Sequence, residues 1–307
     1  MLFRSAADLY HRLREKYAAQ GLVHFGQGKW YPGEQLPRWS LNCFWRRDGE
    51  PIWSNPALIA NETVNYNVTA EMSAAFLRKV AEHLNLDTGC VFPAYEDAFY
   101  YLWRERRLPG NVDPFDSKLS DPMERARLMK VFDQGLDATV GHILPVEKAE
   151  SGQWRTGPWF LRSERCYLMP GDSAMGYRLP LDSQPWVVKG DYPHVYPPDL
   201  NQTATPLRSY LQLRAPVISK AIAALGDPTR ASVLGAAADG EAGDGDAKGD
   251  GDRSARAQRA PFHGESANWL TRMAMCAEPR DGRLYVFMPP THTLNDYPEL
   301  VGPVEAA

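Results

Sequence analysis

The stretch from Asn268 to Pro290, NWLTRMAMCAEPRDGRLYVFMPP, decides the fold class. Two apolar-rich runs flank Arg280-Asp281-Gly282, and Asp-Gly supplies the two left-handed backbone positions that a type I′ hairpin turn needs. Trp269–Met288 therefore reads as a β-hairpin. Along its first strand Glu278 alternates with Leu270, Ala274 and Cys276, which turns the carboxylate to the inner face near the strand end. A carboxylate there is costly unless it meets a metal or a base. A salt bridge to Arg280 or Arg283 is the competing structural explanation.

Upstream, the runs VGHILPV, PWFLR, RCYLMP, MGYRLPL and PWVV, from Thr139 onward, are each bounded by Gly, Pro, Asp or Ser and read as further strands. Helices dominate earlier. Met1–Gly21 is expected to be one, with a Ser5–Asp8 capping layout, Leu9, Leu13 and Tyr17 at i+4 spacing, and Gly21 as its stop. A second runs from Thr69 to about Leu84 with Met72, Phe76 and Val80 on its apolar stripe. Pro93 is expected to open a third, AYEDAFYYLWRERRL, and Asp121-Pro122 to cap a fourth that ends at Gly135. Tyr297 begins another helical pattern. The chain thus reads as α+β: N-terminal helices, then antiparallel strands and hairpins.

Residues 226–264 break this pattern. DGEAGDGDAKGDGDRSARAQR has no aromatic residue and no periodicity, and is expected to be a disordered insertion. Its Asp/Gly alternation lacks the terminal Glu of a twelve-residue calcium loop. The domain then comprises residues 6–225 and 265–307 on either side of it.

His24 to Trp53, HFGQGKWYPGEQLPRWSLNCFWRRDGEPIW, is the densest aromatic region. Alternation suits a strand over Trp39–Trp45, and Asp48-Gly49 predicts a hairpin into Pro51–Trp53. Gly26-Gln27-Gly28-Lys29 invites comparison with phosphate loops, but Val23 stands where a P-loop has Gly and Trp30 where it has Ser or Thr. Lys29 is kept as a candidate contact for an anionic ligand, and Glu34 as a weaker ligand contact.

The chain has 307 residues with 34 Lys and Arg against 38 Asp and Glu, a formal net charge of −4. That balance disfavours a nucleic-acid binder. No run approaches the roughly 18 apolar residues that span a bilayer. The four Cys are far apart and read as reduced, buried thiols, so a cytoplasmic location is expected. None has a recognisable His partner, which disfavours a cysteine enzyme. The seven His form no zinc-type spacing. Asn111, Asp113, Asp116 and Lys118 share one polar loop whose oxygens suit a hard cation. Glu96 and Asp97 read as acids at the opening of a helix.

Five blocks, HFGQGKWYPGEQLPRW, YEDAFYYLWRERRLPGNVDPFDSKL, GPWFLR, PGDSAMGYRLPLDSQPW and EPRDGRLYVFMPP, occur in an order that strongly resembles a bacterial family of predicted amidoligases, a domain of unknown function. The resemblance implies a glutamine-synthetase-like carboxylate–amine ligase fold. It also implies ATP and Mg²⁺ as cofactors, and an upstream transglutaminase-like cysteine domain in the same protein. Peptide or amino-acid carboxylates and amines would be the substrates, with no nucleic acid and no membrane as partners. Lys29, Glu278 and Arg280 are then the catalytic candidates. Lys29 and Arg178 are the candidates for cofactor phosphates, and Asp113, Asp116 and Glu278 for metal. The family's later His- and Gly-rich blocks have no counterpart here. The chain is therefore expected to be the front half of the ligase domain, truncated at both ends and without a complete active site by itself. The alternative is a non-catalytic substrate-binding or interdomain module of a transglutaminase-like enzyme.

Overall fold

The computed structural model describes residues 2–19, 21–27, 39–61, 64–97, 99, 135, 137–149, 151–161, 165–170, 177–192, 201, 203, 206–209, 212 and 259–307. The candidates Lys29, Glu34, Asp113 and Asp116, residues 121–134 of the helix expected to end at Gly135, and most of the low-complexity insertion lie outside them.

Helix α1 (Leu2–Tyr17) precedes an antiparallel pair, β1 (Leu22–Gln27) and β2 (Trp39–Phe44), in which Leu22 faces Phe44 and Val23 faces Cys43. The helix docks through Tyr10, whose hydroxyl donates to Asn42 O, and Ala18 just beyond its end is buried. Leu9, Leu13 and Tyr17, expected to be its buried stripe, are exposed. Ser5 and Asp8 fall inside the helix rather than at its cap. The helix also stops four residues before Gly21. That glycine serves a close approach instead, since a Cβ there would lie 2.4 Å from Cys43 Sγ.

The Asp48-Gly49 turn forms, with Gly49 at φ +79 and its N–H bonded to Arg46 O at 3.2 Å. No returning strand follows. Arg46 is buried against Asp48 at 2.5 Å and Glu50 at 3.7 Å, and residues 54–55 are drawn away to Glu305.

The core is a six-stranded mixed sheet in the order β10-β9-β4-β3-β7-β8. Its strands are β3 (Phe92–Glu96), β4 (Thr139–Pro145), β7 (Cys166–Pro170), β8 (Tyr177–Arg178), β9 (Ala274–Arg280) and β10 (Arg283–Phe287). A short pair, β5 (Glu147–Lys148) and β6 (Trp154–Arg155), stands beside it. All pairings in the large sheet are antiparallel except β3 with β7, which is parallel. The hairpin β9–β10 turns through Asp281 at φ 49 and Gly282 at φ 71, as its Asp-Gly sequence requires. The expected strands at 158–161 and 185–188 have no ladder partners. Trp159 instead reaches the 271–273 segment through one bond, Nε1 to Thr271 O at 2.8 Å.

The start of the helix expected from Pro93 is instead the strand Phe92–Glu96, while Phe99 is helical and residues 98 and 100–108 of that expectation lie outside the described residues. Pro93 precedes Ala94, the first residue paired with β7, so one flank of the strand is still unpaired there. A residue lacking an N–H is tolerated in such a place.

One face of the sheet is covered by α2 (Ala70–His83) and α3 (Asp296–Ala306). Thr69 caps α2 through its side chain, which accepts from Met72 N. The buried face of α2 is Ser73, Ala74, Leu77, Val80 and Ala81, while Met72 is exposed. Small residues let the helix backbone approach the sheet closely, and Leu77 and Val80, with no exposed surface, each contribute about 2 kcal/mol of burial. Ser73 Oγ shares a 2.8 Å hydrogen bond with His142 Nδ1 on β4, tying helix to sheet. At the start of α3, Lys148 Nζ lies 2.6 Å from both Asp296 and Glu299.

Candidate functional site

The other face of the large sheet carries the acids. Alternation fixes which side chains share it. Tyr285 pairs with Glu278, Ala94 pairs with both Gly141 and Cys166, and Gly141 lies beside Glu278. One row therefore runs across five strands: Tyr285, Glu278, Gly141, Ala94 and Cys166. Gly141 is there for space. A Cβ on it would meet Glu278 Cβ at 2.9 Å and Ala277 O at 2.8 Å. With glycine and alanine as its next two members, the row is low between Glu278 and β7.

Glu278 is buried at 4 % exposure, and Arg280 Nε donates to its Oε1. The Arg280 guanidinium lies 5.2 Å from the centre of the Tyr285 ring and 5.0 Å from that of Phe287, so two aromatic faces position it. About a third of its side chain remains exposed (32 %). The salt bridge anticipated from the sequence is therefore present, with Arg280 as the partner. Arg283 engages Asp281 at 3.2 Å.

A second buried acid shares this side of the sheet. Glu96, the last residue of β3, is 4 % exposed and accepts from Tyr177 Oη at 3.1 Å. Between Ala94 and Tyr95 the β3–β4 register shifts by a bulge, a device that re-aims side chains at strand ends. Glu96 does not open a helix as expected; Asp97 takes the local turn role, its Oδ1 accepting from Phe99 N at 3.0 Å. Glu278 and Glu96 stand on strands two spacings apart, about 10 Å. Among the described residues no group of three or more His, Cys, Asp or Glu could hold a metal. Each carboxylate is nevertheless a hard oxygen donor of the kind magnesium takes one or two at a time, completing its shell with water and phosphate.

The structure brings Glu278 and Arg280 together. Arg178 is placed elsewhere: it is exposed on β8 at the far edge, and alternation turns it from the face that Tyr177 shares with Glu96. Cys166 and Cys276 belong to the packed end of the acid face. Burial pushes both thiols up to about 12, which leaves them protonated and unreactive near neutral pH.

The sequence matches the model of the family described as "Putative amidoligase enzyme (DUF2126)" over residues 3–307, and the chain belongs to that family. No curated protein and no solved structure gives a significant match.

Proposed function

We propose that this member of the amidoligase family forms part of an ATP-dependent carboxylate–amine ligase with a glutamine-synthetase-like sheet, working beside a transglutaminase-like domain of the same polypeptide. The observation that supports this reading is the pair of buried carboxylates, Glu278 and Glu96, on one sheet face with Gly141 on the strand between theirs. Buried acids on a sheet face are expensive, and a sheet that keeps two of them with space between has a use for their charge.

In this reading a substrate carboxylate is converted to an acyl phosphate. An amine then attacks the acyl carbon, forming the C–N bond and breaking the C–O bond as phosphate leaves with its electron pair. Magnesium and ATP, when bound, supply the phosphoryl group and the positive charge that stabilises its transfer. Glu278 would be the metal-side carboxylate. Arg280, a planar fork on two aromatic rings, would take a substrate carboxylate or phosphate oxygen. Glu96, oriented by Tyr177, would position the incoming ammonium group and accept its proton. Lys29, Asp113 and Asp116 are proposed to complete the set; Arg178, turned from this face, stands apart from it.

The competing reading is a non-catalytic binding or interdomain module. Its support is the Glu278–Arg280 ion pair, which neutralises the acid within the fold. Transfer of oxygen-18 separates the two. With labelled substrate carboxylate, the native polypeptide that contains this chain should place the label in inorganic phosphate during ATP-dependent amide formation. Amide formation without label transfer removes the acyl-phosphate step. The absence of both leaves the binding-module reading.

A further inference from the structure

We propose that Arg272 anchors a small anion site that takes a monovalent carboxylate of about the size of formate. This inference does not rest on the ligase reading. Arg272 lies before the start of β9 and Glu278 near its far end, so the strand itself, about 13 Å from Ala274 to Glu278, separates the two places.

A guanidinium keeps its charge at any physiological pH, so burying one calls for an anion beside it. Other arginines packed into this fold meet one: Arg46 stands beside Asp48, Arg155 beside Glu147 and Arg280 beside Glu278. Arg272 is 6 % exposed, and among the described residues no carboxylate bonds its guanidinium. Its Nη1 donates to Gln184 Oε1 at 3.3 Å and its Nη2 to Pro185 O, both neutral acceptors. Glu147 gives one oxygen to Arg155 and turns the other to the backbone N–H of Arg272 at 3.4 Å. Burial draws the pKa of Arg272 down, whereas Arg46 and Arg259, each hydrogen-bonded to a carboxylate, are raised. Two donors here also lack an acceptor: Arg272 Nε, and Nε2 of Gln184, itself 7 % exposed. A buried donor left unmet costs more than the bond it forgoes. Both unmet groups are donors and the unmet charge is positive, so the missing partner is a negatively charged acceptor. A water satisfies the donors but not the charge. The contact between Gln184 Oε1 and Arg272 Nη1 keeps the two unmet nitrogens within about 8 Å of each other, the reach of one carboxylate with a hydrogen bond at each oxygen. The Tyr192 ring, centred 5.6 Å from the guanidinium carbon, and residues 184–185 close over the arginine, which restricts the site to a small ion.

Sodium formate titrated into the 307-residue chain tests this by thermal melting, at constant ionic strength with gluconate as a balancing anion too large for the site. The melting temperature should rise saturably with formate, by several degrees at saturation. Arg272→Met, which keeps an unbranched stem without the charge, should weaken the response at least about tenfold in affinity. Gln184→Glu, which brings a carboxylate to the guanidinium from within the chain, should melt above the parent in gluconate and be insensitive to formate. That variant decides the matter if Arg272→Met fails to fold. A parent that responds no more to formate than to gluconate, as a resident water would leave it, overturns the proposal. So does a formate response that survives in Arg272→Met or in Gln184→Glu.

Discussion

Gly141 and Glu278 lie side by side on β4 and β9, so close that a single methyl group on the glycine would sit 2.9 Å from the glutamate Cβ. The position of the central acid on this sheet therefore depends on a neighbour with no side chain. Gly141→Ala would also press on Ala277 O at 2.8 Å, which is backbone and cannot swing aside. Overpacking of this kind costs about 1–3 kcal/mol. The variant should melt several degrees below the parent by calorimetry; an unchanged melting temperature would mean that β4 and β9 are further apart than described.

The ion pair between Glu278 and Arg280 is open to a double-mutant cycle. Arg280→Met leaves a carboxylate of 6 % side-chain exposure beside apolar strands and should destabilise the fold by about 3 kcal/mol. Adding Glu278→Gln should restore more than half of that loss, since the buried charge goes with it. Urea unfolding measures both. Additive losses would show that the two residues act independently.

Burial of Cys166 and Cys276 sets two linked expectations. Each thiol is pushed up to about 12, so its thiolate fraction at pH 8 in the folded chain is about one in ten thousand, and iodoacetamide should label neither before unfolding. An unfolded thiol ionises near its ordinary value of 9.0 while the folded one does not. The folded state therefore binds more protons between about pH 9 and 12. Stability contributed by these groups is complete below pH 9 and is lost as pH rises through that window. Fast labelling of either residue at neutral pH would contradict the burial.

The buried face of α2 gives a contrast within one helix. Leu77→Ala removes a fully buried side chain and should cost about 2–5 kcal/mol, whereas Met72→Ser, on the exposed side, should stay within about 0.5 kcal/mol. Comparable losses at the two positions would put the helix in a different rotation.

These residues also show how far the sequence could be read. The β9–β10 hairpin was legible because Asp281-Gly282 leaves the backbone few alternatives, and strict alternation then turned Glu278 inward. The bounds of α2 were legible from Thr69. Its rotation was not, because the contact surface is partly Ser73, Ala74 and Ala81, which carry little hydrophobic signal, whereas the conspicuous Met72 faces out. The same effect misassigned α1, where Leu9, Leu13 and Tyr17 form a regular stripe that the fold leaves exposed while Tyr10 reaches Asn42. Pro93 produced the largest error. A proline before an apolar and acidic run is a good helix start, and only the pairing with β4 and β7 makes it a strand. Glu96 was missed as a face-sharing acid for that reason: its neighbour in the site is two strands away in space and far away in sequence.

In the proposed reading Glu278 serves chemistry and not only packing. The direct measurement is the rate of ATP-dependent amide formation by the native polypeptide carrying Glu278→Gln, compared with the parent at equal folded fraction. A buried carboxylate that stabilises charge in the transition state should cost about a hundredfold or more in kcat when neutralised. A full rate in a folded Glu278→Gln protein would rule out that role and leave Glu278 as the structural partner of Arg280.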